Sequence, residues 1–449
     1  MSIRVFEYLF LIFPCSNDYY SASGVLCYNL AESKWVNCFS NLFMGFFSSS
    51  KVSYVGVDVG TASIKLVELK KESGKPFLVT YGYIDISTDI IRSNTPDTRQ
   101  KIIDSLKKVT ASAGITTPNA IAALPTFSVF NSIITLPKMQ AKDLTSAIKW
   151  EAKKYVPLPL EEMILDWKII KEPGAKPAGL PKDLLPADKP KKGGFSLFGK
   201  NKALAEQSPE PAEKVAGQKK SASSEVIAPE ISSKIPEVIK ILVTAAPKNL
   251  VDRYIQIFRQ AGLKLISLET EAFALARSMI GSDKSTIMIV DIGSITTDIC
   301  IIEQGVPILN RSIDVGGLTI TQAISRSLDI SLERSEQFKR DFGVSINQEA
   351  NQKGIPKVIT TAMSPIVNEI KYVFDLYQNQ GNMEVEKIVL AGGSAFLPNL
   401  VDYFANLFNK PAVIGNPWDR VIYPEELKPI LDEVGSRLAV AIGLAMRDI

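Results

Sequence analysis

The apolar positions follow two periods that alternate along the chain. Val52–Val59 and Ile64–Leu69 are short apolar runs about a Gly-Thr turn and predict a strand pair. Asp97–Ala113 has helical spacing, and Ala120–Leu124 predicts a short buried strand. An α+β block follows. Its strands are Ser128–Thr135, Ile164–Ile170 and Val238–Ala245, and its helices are Ala141–Tyr155 and Asn249–Ala261. In the last helix Val251, Tyr254, Ile255 and Phe258 fall at i, i+3, i+4 and i+7, which predicts one apolar face. Strands return at Thr286–Asp291 and Asp298–Glu303. Ile388–Leu390 leads through Ala391-Gly392-Gly393-Ser394 into a helix from Asn399, and Ser436–Met446 predicts a small-residue apolar helix.

Two stretches depart from this pattern. Residues 1–50 are aromatic, poor in charge and without a sustained period. Met44 opens a short segment just before the first strand. Two accounts stay open: translation that starts at Met44, or a flexible arm or weak membrane anchor. Residues 171–233 are rich in Pro, Lys, Ala, Ser and Glu, with Phe195 and Phe198 as the only aromatics. Such a segment buries too little apolar surface to offset its ordering entropy. It predicts a disordered insertion in place of a hairpin turn, where added length costs little. Within it Lys191-Lys-Gly-Gly-Phe-Ser-Leu-Phe198-Gly-Lys200 mixes basic and apolar residues, either a solvated linker or a contact for acidic lipid.

Composition narrows the chemistry. The 449 residues suggest about three domains of ordinary size. With 51 basic against 48 acidic residues the net charge is +3, too balanced for a general nucleic-acid binder. The chain has no histidine, which excludes His-dependent triads, His general bases and His-containing zinc sites. Chemistry is left to carboxylates, hydroxyls, lysines, backbone amides or a bound metal. The cysteines Cys15, Cys27, Cys38 and Cys300 form no CxxC pair, and a large body with one cysteine fits a reducing, cytoplasmic compartment. No apolar run reaches the roughly 18–20 residues of a spanning helix.

The informative feature is an internal duplication. Tyr54-Val-Gly-Val-Asp58-Val-Gly60-Thr61-Ala-Ser63-Ile-Lys-Leu-Val-Glu68 is echoed by Ile287-Met-Ile-Val-Asp291-Ile-Gly293-Ser294-Ile-Thr296-Thr297-Asp298-Ile-Cys-Ile-Ile-Glu303. Each is an apolar strand ending in Asp-x-Gly-(Thr/Ser), a tight turn and a second apolar strand. Glycine lets the backbone turn sharply and approach a ligand. Successive turn amides make a concave anion site, to which the hydroxyls add donors. An Asp at each strand end presents the wrong charge to phosphate unless a cation lies between, which points to Mg²⁺ held through water. For one copy alone ordinary Gly-turn hairpins are the better account; two copies together with a third motif reverse that. A third motif, Ile388-Val-Leu-Ala391-Gly392-Gly393-Ser394, follows in the order a nucleotide cleft requires and leaves room for a flat purine or ribose. No Walker-type loop and no strand-linked GxGxxG is present.

With these motifs the chain resembles the actin-like ATPase superfamily, which includes actin, heat-shock ATPases, sugar kinases and FtsA. Closer still it resembles the PilM family of type IV pilus assembly. The further residues carrying that resemblance are Glu151-Ala-Lys-Lys-Tyr-Val-Pro-Leu-Pro-Leu-Glu161-Glu162 and Gly415-Asn416-Pro417-Trp418. The resemblance covers about 52–170 and 236–449; the first 50 residues and the insert depart from it.

It implies an α/β, two-lobed actin-like ATPase fold with an inserted α+β (SHS2-like) subdomain. An extension over 1–50 would be followed by domain 1 at 51–284, holding the interaction subdomain 125–267. Domain 2 would span 285–432, and a C-terminal helix at 433–449 would pack back on domain 1. By motif position, Asp58, Gly60, Thr61 and Ser63 match one phosphate hairpin. Asp291, Gly293, Ser294 and Thr296 match the other. Gly316 and Gly317 match a Gly-Gly turn near the phosphates, Glu336 and Lys339 a pair contacting the nucleoside, and Gly392, Gly393 and Ser394 the adenosine turn. The implied cofactors are ATP and Mg²⁺, the metal held by Asp58 and Asp291 through water.

Hydrolysis needs a group that orients water. Leu268-Glu269-Thr-Glu271-Ala-Phe-Ala-Leu-Ala resembles the segment where heat-shock ATPases carry a Glu, and the Ala-Leu-Ala spacing favours Glu269 over Glu271. The competing account is that both carboxylates cap the following helix. Nucleotide binding is therefore better supported than turnover. The implied partner is the N-terminal cytoplasmic tail of a PilN-like inner-membrane protein, in a groove near Ala141–Tyr155 and Val156-Pro157-Leu158-Pro159. The protein would sit in the cytoplasm at the inner face of the membrane, associated peripherally through partners. An FtsA-like division protein and a small-molecule kinase of the same fold are the alternatives.

Overall fold

The computed structural model describes residues 25–29, 52–87, 93, 95–156, 158–170, 238–345, 354–381 and 384–449. The insert 171–233, Pro157 and all of 1–50 except 25–29 lie outside the described residues, and with them Met44 and Lys191–Lys200. The first elements are β1 (Val25–Asn29), β2 (Ser53–Val59), β3 (Ser63–Glu72), β4 (Lys75–Asp85), α1 (Pro96–Ser112) and β5 (Asn119–Leu124). Next come β6 (Phe130–Pro137), α2 (Ala141–Ala152), β7 (Met163–Ile170), β8 (Val238–Pro247), α3 (Lys248–Gln260), β9 (Lys264–Thr270) and α4 (Glu271–Leu275). The second half holds β10 (Ile287–Ile292), β11 (Thr297–Glu303), β12 (Val306–Ile313), α5 (Gly317–Leu328), α6 (Leu332–Phe342), α7 (Ile355–Ala362) and α8 (Ser364–Asn379). It closes with β13 (Lys387–Ala391), α9 (Leu400–Phe408), β14 (Ala412–Ile414) and α10 (Lys428–Ala445).

The strands form three sheets, ordered β1-β4-β3-β2-β5-β9, β12-β11-β10-β13-β14 and β6-β8-β7. The first two are built on one plan. An antiparallel hairpin (β2–β3, β10–β11) extends on one side, and a parallel strand (β5, β13) pairs on the other. The sequence duplication is thus an architectural one. The third sheet is antiparallel. β7 and β8 pair from Met163↔Pro247 to Ile170↔Lys240, so residues 171–237 join two strand ends held side by side.

Each sheet buries a face under helices. Val57, Ile64 and Leu66 of the first sheet pack on Ile103 and Leu106 of α1 and Phe258 of α3. The face of α3 is rotated from the one the spacing predicts. Val251, Tyr254, Ile257 and Phe258 are buried, whereas Ile255 is 38% exposed. Ile255 lies about 90° round the helix from the centre of the buried stripe, so an i+4 match at the edge of the arc leaves it at the rim. In the third sheet Ile241 and Val243 pack on Leu144 and Ile148 of α2.

Between the two large sheets runs α10, buried continuously from Leu438 to Ala445. Ala439, Val440 and Leu444 share one core with Ile121 of the first sheet, Ile289 and Val389 of the second, and Leu275 of α4. Glycine makes the approach close enough. A Cβ on Gly56 of β2 would stand 2.0 Å from the carbonyl oxygen of Ala441, and one on Gly443 would stand 1.9 Å from that of Ala274. Where α4 passes into this contact it widens into a π turn, Ala276–Ile280.

Candidate functional site

The two hairpins turn identically. Gly60 N–H donates to the Ser63 carbonyl at 3.0 Å, and Gly293 N–H to the Thr296 carbonyl at 2.9 Å. Ser63 and Thr296 are buried beneath the turns; Thr61 and Ser294 form the tips, half-buried and exposed. Register sets the charges. In the first hairpin Asp58 stands opposite Lys65, and Lys65 Nζ reaches Asp58 Oδ2 at 2.7 Å. In the second, Asp291 stands opposite Asp298, two carboxylates across one ladder. Like charges directly opposite each other destabilise a ladder. The second hairpin therefore lacks the built-in cation that the first carries.

The two hairpins face each other. Burial, then Asp298 and Asp58, push the Asp291 carboxyl up to about 7 against the opposing pull of Lys65. Burial likewise pushes Asp298 up to about 6, where the Ser312 and Thr126 hydroxyls oppose it. No residue in the second hairpin relieves this repulsion, and among the described residues no group of three or more Asp, Glu or Cys side chains is placed to hold a metal ion. A pH dependence follows. In the unfolded chain Asp291 ionises near ~3.9. The folded value lies higher, so its stability contribution is complete below about 4 and is lost as pH rises through about 7. Because Asp291 is partly open to the cleft, the expected loss for ligand-free protein is on the order of 2 kcal/mol. Urea unfolding of wild type and Asp291→Asn at pH 5 and 7.5 checks this; the variant should lose less stability across that interval.

The two glutamates after β9 separate clearly. Glu269, favoured by the sequence spacing, is buried and turned away from the carboxylates. Arg277 Nη2 reaches its oxygens at 2.9 and 3.0 Å, and Arg447 Nε lies 2.8 Å from Oε1. Arg277 also donates to the Gly443 carbonyl at 2.5 Å, so Glu269 ties α4 to the end of α10. Glu271, the first residue of α4, instead turns towards Asp298, Asp58 and Asp291. Burial and those three charges raise its carboxyl well above the usual range. Thr126 anchors it, donating from Oγ1 at 2.6 Å and from its amide at 3.1 Å. The water-orienting role expected of Glu269 thus falls at a position whose charge is already neutralised, whereas Glu271 faces the cleft.

The remaining predicted residues gather on the second lobe. Gly317 N–H donates to the Gly293 carbonyl at 2.9 Å, and Leu318 N–H to that of Ser294 at 2.8 Å, seating the start of α5 on the hairpin turn. Cβ atoms on Gly316 and Gly317 would collide with the Gly293 carbonyl oxygen and Ser394 Oγ at 2.7 and 2.5 Å. Lys339 is buried; its Nζ donates to Glu336 Oε2 at 2.6 Å, Thr321 Oγ1 at 3.0 Å and the Gly317 carbonyl at 3.2 Å. Gly392 takes φ +84°, and a Cβ there would lie 2.3 Å from Asp291 Oδ1, whereas Gly393 is open. The structure so joins the Gly-Gly turn, the Glu336–Lys339 pair and the third motif to the second hairpin. The sequence reading missed Lys65, Thr126 and Asp298. For Lys65 a signal was present: it is the lone basic residue inside the run Ile64–Leu69.

Behind this cluster lies an apolar cavity of about 520 Å³ between the first and third sheets, lined among others by Val59, Phe127, Leu158, Leu250 and Tyr254. The Tyr254 hydroxyl is buried without a hydrogen-bond partner among the described residues, and burial and then Glu271 raise its pKa. Tyr254 thus forms a wall shared by the cavity and the carboxylate cluster.

The family described as type IV pilus assembly protein PilM matches residues 56–189 and 225–449. The cell division protein FtsA of Neisseria meningitidis serogroup B (strain MC58) is 24% identical over 227 residues, 46% of this chain and 53% of that protein. FtsA of Bacillus subtilis (strain 168) is 22% identical over 200 residues, 40% of this chain and 45% of that protein. The chain spans about half the length of these curated relatives. A solved structure, the PilM-PilN type IV pilus biogenesis complex, superposes with a TM-score of 0.64 at 21% identity. The match covers 88% of this chain and 98% of that one and is a likeness of fold. No helix among the described residues is long and apolar enough to cross a membrane.

Proposed function

The chain belongs to the PilM family of type IV pilus assembly proteins and has their actin-like fold; from this premise we propose that it binds Mg²⁺-ATP between its lobes and holds the cytoplasmic tail of a PilN-like inner-membrane protein at the inner face of the membrane. The observation that carries the nucleotide reading is the pairing of two matched glycine turns over an uneven set of charges. Asp58 is neutralised by Lys65, whereas Asp291 and Asp298 confront each other. In this reading Asp58 and Asp291 hold the cation through water, with Asp298 and Lys65 beside them. The amides of Thr61 and Ser294, at the tips of the two glycine turns, receive phosphate oxygens. Gly316 and Gly317 let the start of α5 close on the same turn, and Gly392–Ser394 with Glu336 and Lys339 receive the nucleoside. The cation supplies charge neutralisation for the phosphates when bound.

Glu271 is the residue we place at the attacking water, held by Thr126 and close to the aspartates. Burial and the facing aspartates raise its carboxyl, which makes it a stronger proton acceptor when ionised. Calorimetric titration tests the reading. ATP should bind only with Mg²⁺, and Asp58→Ala and Asp291→Ala should each weaken it at least about tenfold. Glu271→Gln should keep the affinity and slow any turnover on the order of a hundredfold, whereas Glu269→Gln should lower the melting temperature. Unchanged affinity in both aspartate variants would remove the nucleotide site.

The cavity between the first and third sheets supports the partner reading. It is apolar and open enough for a short extended segment. Leu158 at its mouth follows Pro157 and precedes Pro159, a stretch with few amide donors of its own.

A further inference from the structure

The outer crest of α2 has no part in the site or the cavity. Leu144, Ile148 and Ala152 at i, i+4 and i+8 are the buried stripe of this helix. Trp150 lies about 200° round from Ile148 and points straight away from the subdomain. It is 70% exposed, the most exposed large apolar side chain among the described residues. Around it Lys142, Ser146, Lys149 and Lys153 are exposed on the same crest, and Tyr155 follows at 46% exposure. Lys142, Lys149 and Lys153 pair with no carboxylate among the described residues, whereas Glu151 is taken by Lys154 at 2.8 Å. The acidic residue left on the crest is Asp143.

We propose that the crest of α2 is a contact surface for an anionic phospholipid bilayer, with Trp150 and Tyr155 at headgroup level and Lys142, Lys149 and Lys153 on lipid phosphates. Charge complementarity selects this occupant: three unpaired lysines ring the aromatic. Shape selects it over an acidic protein. A stable protein contact needs roughly 1,200 Å² or more with an apolar centre and pockets for anchoring side chains. Here one indole stands on the exposed crest among lysines and a serine, outside the lining of the cavity described above. That arrangement matches the interfacial preference of tryptophan and tyrosine flanked by basic side chains. The inference rests on α2 alone and stands whatever occupies the cavity.

The full chain should co-sediment with phosphatidylcholine vesicles containing about one third phosphatidylglycerol and remain free of pure phosphatidylcholine vesicles, more weakly as salt rises. Each lysine near an anionic surface contributes about fivefold. Lys142→Gln, Lys149→Gln and Lys153→Gln together should therefore weaken binding about a hundredfold. Brominated acyl chains should quench a fluorescence component that Trp150→Phe removes. All of these positions are exposed, so melting temperature should not change, and ATP affinity should stay as in the wild type. Vesicle binding undiminished in the triple variant, or no binding to anionic vesicles at low salt, overturns the proposal. So does a photo-crosslinker at position 150 that labels protein but no lipid.

Discussion

Protein carrying Gly392→Val is expected to lose Mg²⁺-ATP binding by at least about a hundredfold, the largest functional effect of any single substitution in the cleft. Two separate causes act at this residue. Its φ of +84° is strained for any side chain with a Cβ. That Cβ would also meet Asp291 Oδ1 at 2.3 Å and the Ile292 carbonyl oxygen at 2.5 Å. The backbone cannot retreat freely, because Gly392 N–H donates to the Ser436 carbonyl and Ser436 Oγ to the Gly392 carbonyl, both at 3.2 Å. The side chain that gives way is Asp291, the proposed cation carboxylate. Gly393→Ala is the control, since a Cβ there meets nothing within 4 Å. It should fold as wild type, and any affinity it loses reports ligand packed against that turn. Calorimetry on both variants decides the point; equal affinity in the two would show that Asp291 does not hold the cation.

Gly443→Val should have the largest effect on stability. The substituent would enter the backbone of Ala274, whose carbonyl oxygen, carbon and Cα lie 1.9, 2.5 and 2.9 Å from the Cβ position. No flexible side chain is available to move aside. Overpacking of this kind typically costs about 1–3 kcal/mol, and a backbone collision on a helix locked by Glu269, Arg277 and Arg447 belongs at or above the upper end. The expected fall in melting temperature is about 4 °C or more. Gly443→Ala should fall less, because alanine returns about 1 kcal/mol of helix propensity. A melting curve for the valine variant that overlays the wild type would mean that α10 is free to shift along α4.

The duplication was legible because it is written in residues whose physics is local: apolar strand, Asp, Gly, hydroxyl. Both turns form the same hydrogen bond, as their matching sequences require. What differs between the copies, Lys65 against Asp298, appears only through cross-strand register, which no short motif encodes. The choice between Glu269 and Glu271 is of the same kind. They are two apart, and their facing depends on where β9 ends and α4 begins. The pairing of Glu269 with Arg447 spans more than a third of the chain and leaves no local trace. β4, β9 and β12 were missed because each is covered or flanked so that apolar alternation is blurred. Pro76 and Gly82 in β4 add further disguise. The helices of 317–379 went unplaced apart from the turn that joins Glu336 to Lys339.

The position of α10 has a consequence for the order of events during synthesis. Val67, Leu69, Leu78 and Tyr81, from strands made early, are covered by Trp418, Leu431, Leu438, Ile442 and Met446, which are made several hundred residues later. Until those residues leave the ribosome, one face of the first sheet has nothing to bury against. The early strands must then wait as a hydrophobic, open-edged surface while several hundred residues are added, at about 5–20 residues per second. The nascent chain is thus exposed to wrong association for many seconds, and its first sheet completes one of its two faces only once α10 has emerged.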